Sequence, residues 1–143
     1  MTYLELVKIL KDYFENSPLV ERVENDDIPS IDTDKTSLYP LVQFYLEDVS
    51  LNGRTNQFNI PLFVADILDI NKQTGEDNRD FIWNQSLSVI NNLVEQLRRG
   101  NLSETPIEVN QPSVTPFTDR LDKGLAGMET VIQISVSNDM TIC

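Results

Sequence analysis

The chain contains no histidine, and its single cysteine, Cys143, is the last residue. Without an imidazole there is no His-ligated metal and no serine or cysteine triad of the usual kind. One cysteine excludes an intramolecular disulfide, which fits assembly in a reducing compartment. Glycine is also scarce, with five residues among 143, and no glycine-rich phosphate loop occurs. No apolar run approaches membrane-spanning length, and Glu5 stands where a secretory leader needs a basic lead and an apolar core. The expectation is a soluble protein with no membrane partner. Basic residues are outnumbered, 11 against 23 acidic ones, for a formal net charge of -12. Such a surface repels phosphate, whereas a protein built to grip nucleic acid needs the opposite sign. The acidity reads either as a solubilising surface or as a surface that does not hold DNA passing nearby.

What is present is an ordinary globular composition, 40% apolar and 24% charged, of a size that makes one domain with a real core. The stretch from Leu38 to Ile70 organises the rest. Val42, Phe44 and Leu46 share one face of a first arm, and Phe58, Ile60, Leu62 and Val64 share one face of a second. That period of two marks half-buried strands of a long antiparallel hairpin. Because a slip of one residue exchanges the faces, an Asn52-Gly53 two-residue loop would mix them. A three-residue loop, Leu51-Asn52-Gly53, keeps them apart and predicts that Val42 meets Leu62, Phe44 meets Ile60 and Leu46 meets Phe58.

Around the hairpin, Thr2 to Asn16 reads as an amphipathic helix with Tyr3, Leu6, Val7, Leu10 and Phe14 on one side. Thr2 and Glu5 have the spacing of a capping box. Leu19 to Val23 is a short strand, and Glu24 to Ser37 an acidic loop. Arg79 to Arg99 is the strongest helix, with a stripe of Trp83, Leu87, Ile90, Val94 and Leu97 widened by Ile82, Val89 and Leu93, and with Gly100 as its C-cap. Ile107 to Val109 and Ser113 to Phe117 are proline-bounded edge strands. Leu121 to Gly127 reads as a turn, Met128 to Val136 as a last strand that closes the sheet, and Asn138 to Cys143 as a tail. The fold class is α+β, a mainly antiparallel sheet covered on one face by two helices.

Two acidic clusters invite a metal reading. As a calcium loop, Asp32 and Asp34 would take positions one and three, but Ser37 stands where glycine is needed and Gln43 where the bidentate glutamate is needed. Asp66 and Asp69 near a strand end suggest a metal-dependent nuclease, yet Lys72 has the wrong spacing and no Asp/Glu-x-Lys element occurs in the chain. Turn-forming aspartates are the plainer reading. No catalytic residue, cofactor site or metal ligand is assigned.

The element order and several short phrases resemble one known family. An N-terminal helix leads to a hairpin opened by Leu38-Tyr39-Pro40-Leu41 and closed by Phe63-Val64-Ala65-Asp66. A long helix over Phe81 to Arg99, a Thr115-Pro116-Phe117 element and Gly127-Met128-Glu129-Thr130-Val131-Ile132 follow. This resembles the tail-terminator and tail-completion proteins of tailed bacteriophages over roughly Thr2 to Val136. The resemblance implies a virion structural protein, not an enzyme, assembled in the host cytoplasm as a ring, commonly a hexamer, at the head-proximal end of the tail. Its partners would be further copies of itself, the tail-tube protein and neck or connector proteins, with genomic DNA passing through the lumen. The acidic loop at Glu24 to Asp34 and the prolines at Pro106 to Pro116 have no counterpart in that pattern. Candidate interface residues are Arg54 at the hairpin tip and Phe117, Asp119, Arg120, Leu121 and Asp122, although an ordinary surface loop also accounts for the latter group. Another neck ring protein, an acidic DNA-mimicking adaptor and a small hydrolase using Asp66 and Asp69 are the competing readings.

Overall fold

In a computed structural model of the chain, the structure describes residues 2–20, 22–25, 40–68, 78–103, 107–120 and 124–137. The acidic loop from residue 26 onward, Asp69, Asp77, Leu121, Asp122 and the tail lie outside them. Helix α1 (Tyr3–Glu15) starts as its sequence dictates. The Glu5 N–H donates to the Thr2 hydroxyl at 3.2 Å and the Thr2 N–H donates to the Glu5 carboxylate at 2.9 Å, a complete capping box. Leu6, Leu10 and Phe14 form its buried stripe.

Seven strands follow in one sheet: β1 (Arg22–Asn25), β2 (Leu41–Phe44), β3 (Asp48–Leu51) and β4 (Thr55–Ile67), then β5 (Ile107–Val109), β6 (Thr115–Arg120) and β7 (Leu125–Ser137), with α2 (Arg79–Arg98) between β4 and β5. The expected α+β class holds. Strand β1 begins and ends later than expected, because Glu24 and Asn25 pair in parallel with Gln43 and Phe44 where the acidic loop was expected to begin. Strands β4 and β7 pair antiparallel along all thirteen residues of each and form the centre. Strand β7 is therefore interior, not the closing strand, and it carries β5 and β6 end to end on its far side.

The hairpin corrects the expected register. Val42 lies opposite Val64 and Phe44 opposite Leu62, two residues from the expected partners. Leu51 pairs with Asn56, and the turn consists of Gly53 and Arg54 between Asn52 and Thr55, with the Asn52 N–H donating to the Thr55 carbonyl at 3.3 Å. Parity survives this two-residue turn because the strand bulges. The Glu47 N–H donates to the Asn59 carbonyl while Asp48 is also opposite Asn59, so two residues face one. The extra residue that keeps the faces apart therefore sits at Glu47–Asp48, in the strand before the turn and not in the turn itself. Gly53 takes φ +87°, and the Asn52 side-chain oxygen accepts from the Arg54 N–H, the Thr55 N–H and the Thr55 hydroxyl, fixing the tip.

Even-numbered residues of the central strands, Phe58, Ile60, Leu62, Val64, Ile132, Ile134 and Val136, form the main core with both helices. Each such aliphatic or aromatic burial contributes about 1.5–3 kcal/mol. The stripe of α2 sits further round than expected: Ile82, Ser86, Val89, Ile90, Leu93, Val94 and Leu97 are buried, while Leu87 is 43% exposed. The helix ends in a Schellman motif, the Gly100 N–H donating to the Leu97 carbonyl and the Asn101 N–H to that of Gln96, with Gly100 at φ +72°.

Candidate functional site: the open face of the sheet

Both helices pack on the even face, so the odd-numbered residues stand on a face that carries neither helix. At one end of it Leu41, Phe63, Ala65, Phe117 and Leu125 make a small second core. Towards the hairpin the same face is polar. Gln57 is opposite Ser135, Asn59 opposite Gln133 and Pro61 opposite Val131, with Asp48 and Ser50 continuing the face on β3 and Glu108 on β5. The Gln57 amide donates to the Gln133 side-chain oxygen at 3.2 Å, and the Asn59 amide donates to the Asp48 carboxylate. Between the polar and apolar ends lies a groove of about 350 Å³ lined by Tyr45, Glu47, Pro61, Thr115, Glu129 and Val131.

The described charged side chains of this face have one sign. Glu47, Asp48, Glu108 and Glu129 stand on it or at its rim, and no lysine or arginine side chain is described there. Arg54 is at the hairpin tip, and the other described basic side chains, Lys8, Lys11, Arg79, Arg98 and Arg99, belong to the helices or, for Arg99, to the cap of α2. The described side chains of the face are therefore amides, hydroxyls and carboxylates, which offer a phosphate no counter-charge, while Arg22 and Arg120 hold register positions on the same face opposite Leu41 and Leu125. Among the described residues no three metal-ligating side chains converge, and none of the described helices is long and apolar enough to cross a membrane.

Of the residues singled out in the sequence, Arg54 is exposed at the tip. Phe117 is only 7% exposed: its ring stacks on Phe63 with centroids 5.3 Å apart, and its carbonyl accepts from the Trp83 indole N–H at 3.0 Å. The surface-loop reading of its segment gives way to strand β6, which continues through Asp119 to Arg120 with an irregularity after Phe117. Gly127, read as part of a turn, is inside β7 opposite Ala65 and Phe117. Trp83 is half-buried, with the Arg79 guanidinium 4.9 Å above its ring. The acidic positions Glu47, Asp48, Glu108 and Glu129 were missed, although the alternation in β4 and β7 already separated a polar row from an apolar one. Their convergence needed the bulge and the order of strands.

Asp66 does not join any described acidic group. It is half-buried at the end of β4, and its carboxylate accepts from the Ile67 N–H at 2.7 Å. Burial raises its pKa above the ordinary 3.8, only partly offset by that hydrogen bond. A raised carboxylate pKa means that folding is penalised once the unfolded chain ionises: the penalty is absent below about pH 4 and grows as pH rises through the folded value. Asp66→Asn keeps the acceptor for Ile67 and is expected to stabilise the chain at neutral pH by under about 1 kcal/mol, given the solvent screening. Urea unfolding of both proteins across pH should show the difference vanishing in acid; a difference that grows in acid would contradict this origin.

Comparison with models of known protein families found no match, and comparison with proteins of established function found none.

Proposed function

We propose that the protein is a structural ring subunit of a bacteriophage tail, a tail terminator or closely similar neck protein, in which copies surround a channel that DNA traverses. The observation that carries the reading is the sheet face that bears neither described helix and whose described charged side chains are four carboxylates. Repeated around an axis, such a face lines a passage that repels phosphate and lets DNA slide. Two further features agree with it. The β5–β6 edge is interrupted by Pro112 and Pro116, which resist further strand pairing, whereas β3 has no strand beyond it among the described residues. The two flanks of the sheet therefore differ, and head-to-tail contacts between unlike surfaces generate rings.

The test is native mass across a concentration series, with negative-stain images of the largest species and of the protein mixed with tail tubes. The expected result is a closed ring of about six copies with an open centre, alone or on tube ends. A monomer or dimer that ignores tubes and competes with DNA for a basic protein would replace this reading with the acidic adaptor.

A further inference from the structure

Two exposed features of the chain have complementary chemistry and cannot meet within one molecule. The first is the hairpin tip. Leu51 is 73% exposed although it lies in a strand, Arg54 is exposed beside it, and the three hydrogen bonds to the Asn52 side chain hold the turn in one shape. Apart from Arg99, which caps α2, Arg54 is also the only basic side chain described outside the helices. The second feature is the groove on the open face, where Val131 is 44% exposed beside Pro61, with the carboxylates of Glu47 and Glu129 in its lining. An exposed apolar strand residue next to a lone base faces, in chemical terms, an exposed apolar strand residue next to two acids.

Gly53 and Pro61 are eight residues apart along the strand, roughly 26 Å at the rise of an extended chain. The tip is rigid, so it cannot fold back into its own groove. We infer that the hairpin tip of one copy docks in the sheet-face groove of a second copy, Leu51 lying on Pro61 and Val131 and the Arg54 guanidinium reaching Glu47 and Glu129. A cavity of about 350 Å³ holds a leucine side chain and the stem of an arginine. Aligning the base with Glu47 fixes the register of the contact, and reversing either charge of that pair sets like charges against each other. Tip and groove are different surfaces, so the contact propagates head to tail. This inference rests on the proposed ring and supplies its subunit interface; of the four carboxylates, Glu47 and Glu129 then border the contact, and Asp48 and Glu108 remain to line the channel.

The experiment compares wild type, Arg54→Glu, Glu47→Arg and the double charge reversal by analytical ultracentrifugation of the full chain over a concentration series. Thermal melts at concentrations below the assembly range should agree for all four, because both side chains are exposed. Each single reversal is expected to raise the concentration at which half the protein is assembled by at least about tenfold, and the double reversal is expected to bring it back near wild type. Single reversals that assemble like wild type overturn the inference even if a ring is seen. So does a double reversal no better than the singles, or a wild type monomeric throughout. A dimer that depends on Arg54, with two copies exchanging tips, supports the contact and counts against the ring.

Discussion

Gly127→Val is expected to leave little folded protein at room temperature. Gly127 lies in the central strand β7, opposite Ala65 on one side and Phe117 on the other. A Cβ at this position would stand 1.8 Å from the Val64 carbonyl oxygen and 2.9 Å from the Ala65 Cα. Both are backbone atoms of the strand paired with β7 along its whole length, so neither can rotate away as a side-chain end could. Relief requires separating β4 from β7 where the main core and the second core adjoin. A loss above about 4 kcal/mol is expected, which consumes most of the 5–15 kcal/mol typical of a domain. The informative control is Gly53→Ala. Gly53 has φ +87° but nothing within 4 Å of the added carbon, so it should lose only about 1 kcal/mol, from backbone strain alone. Urea unfolding of the two variants, or soluble yield if Gly127→Val does not fold, decides the matter. Equal losses would mean that the close approach of the strands is absent.

The two glycines also show what was legible in the chain. Gly53 could be placed in a hairpin tip from the flanking alternation, whereas the role of Gly127 could not, because it depends on the backbone of Val64 and Ala65, far back along the chain in β4. The same division holds elsewhere. The Thr2–Glu5 capping box, the Gly100 terminator and the alternation of β4 and β7 are local, and each was readable. The register of the hairpin was not, because a bulge at Glu47 and Asp48 restores parity as well as a longer turn does, and composition does not distinguish them. The stripe of α2 was misjudged by about one position because Leu87 is apolar yet outward, while Ser86 is polar and buried. Single surface hydrophobes carry little information about which way a helix faces.

The candidate site was legible only as a net charge. That 23 acids outnumber 11 bases was plain, but that four of them are the described charged side chains of one face required the order β2–β4–β7–β5. Long-range strand order is set by the packing of the whole core, and no local pattern encodes it. Phe117 illustrates the converse. Adjacent charged residues suggested a surface role, and stacking on Phe63 in the second core assigns the ring to the interior.

Phe14→Ala is expected to be the most damaging side-chain truncation in α1, and the reason lies in how the helix is joined to the hairpin. The Phe14 ring is completely buried, lies 6.3 Å from that of Phe44 in β2 and meets the Tyr13 ring edge-on at 5.3 Å. Tyr13 in turn accepts a hydrogen bond from the Asn92 amide of α2, so the two helices and the first arm of the hairpin meet at one place. Removing the ring leaves a cavity walled by elements that are each fixed elsewhere, α2 on β7 and β2 on β4, and a cavity that cannot collapse falls at the costly end of the range, about 3–5 kcal/mol. Phe81→Ala, on a side chain 62% exposed at the start of α2, should change stability by no more than about 0.5 kcal/mol. Urea unfolding measures both. If the Phe14 variant loses no more than the Phe81 variant, α1 is held by its cap and its outer residues, and the joint at Phe14 and Phe44 does not anchor it.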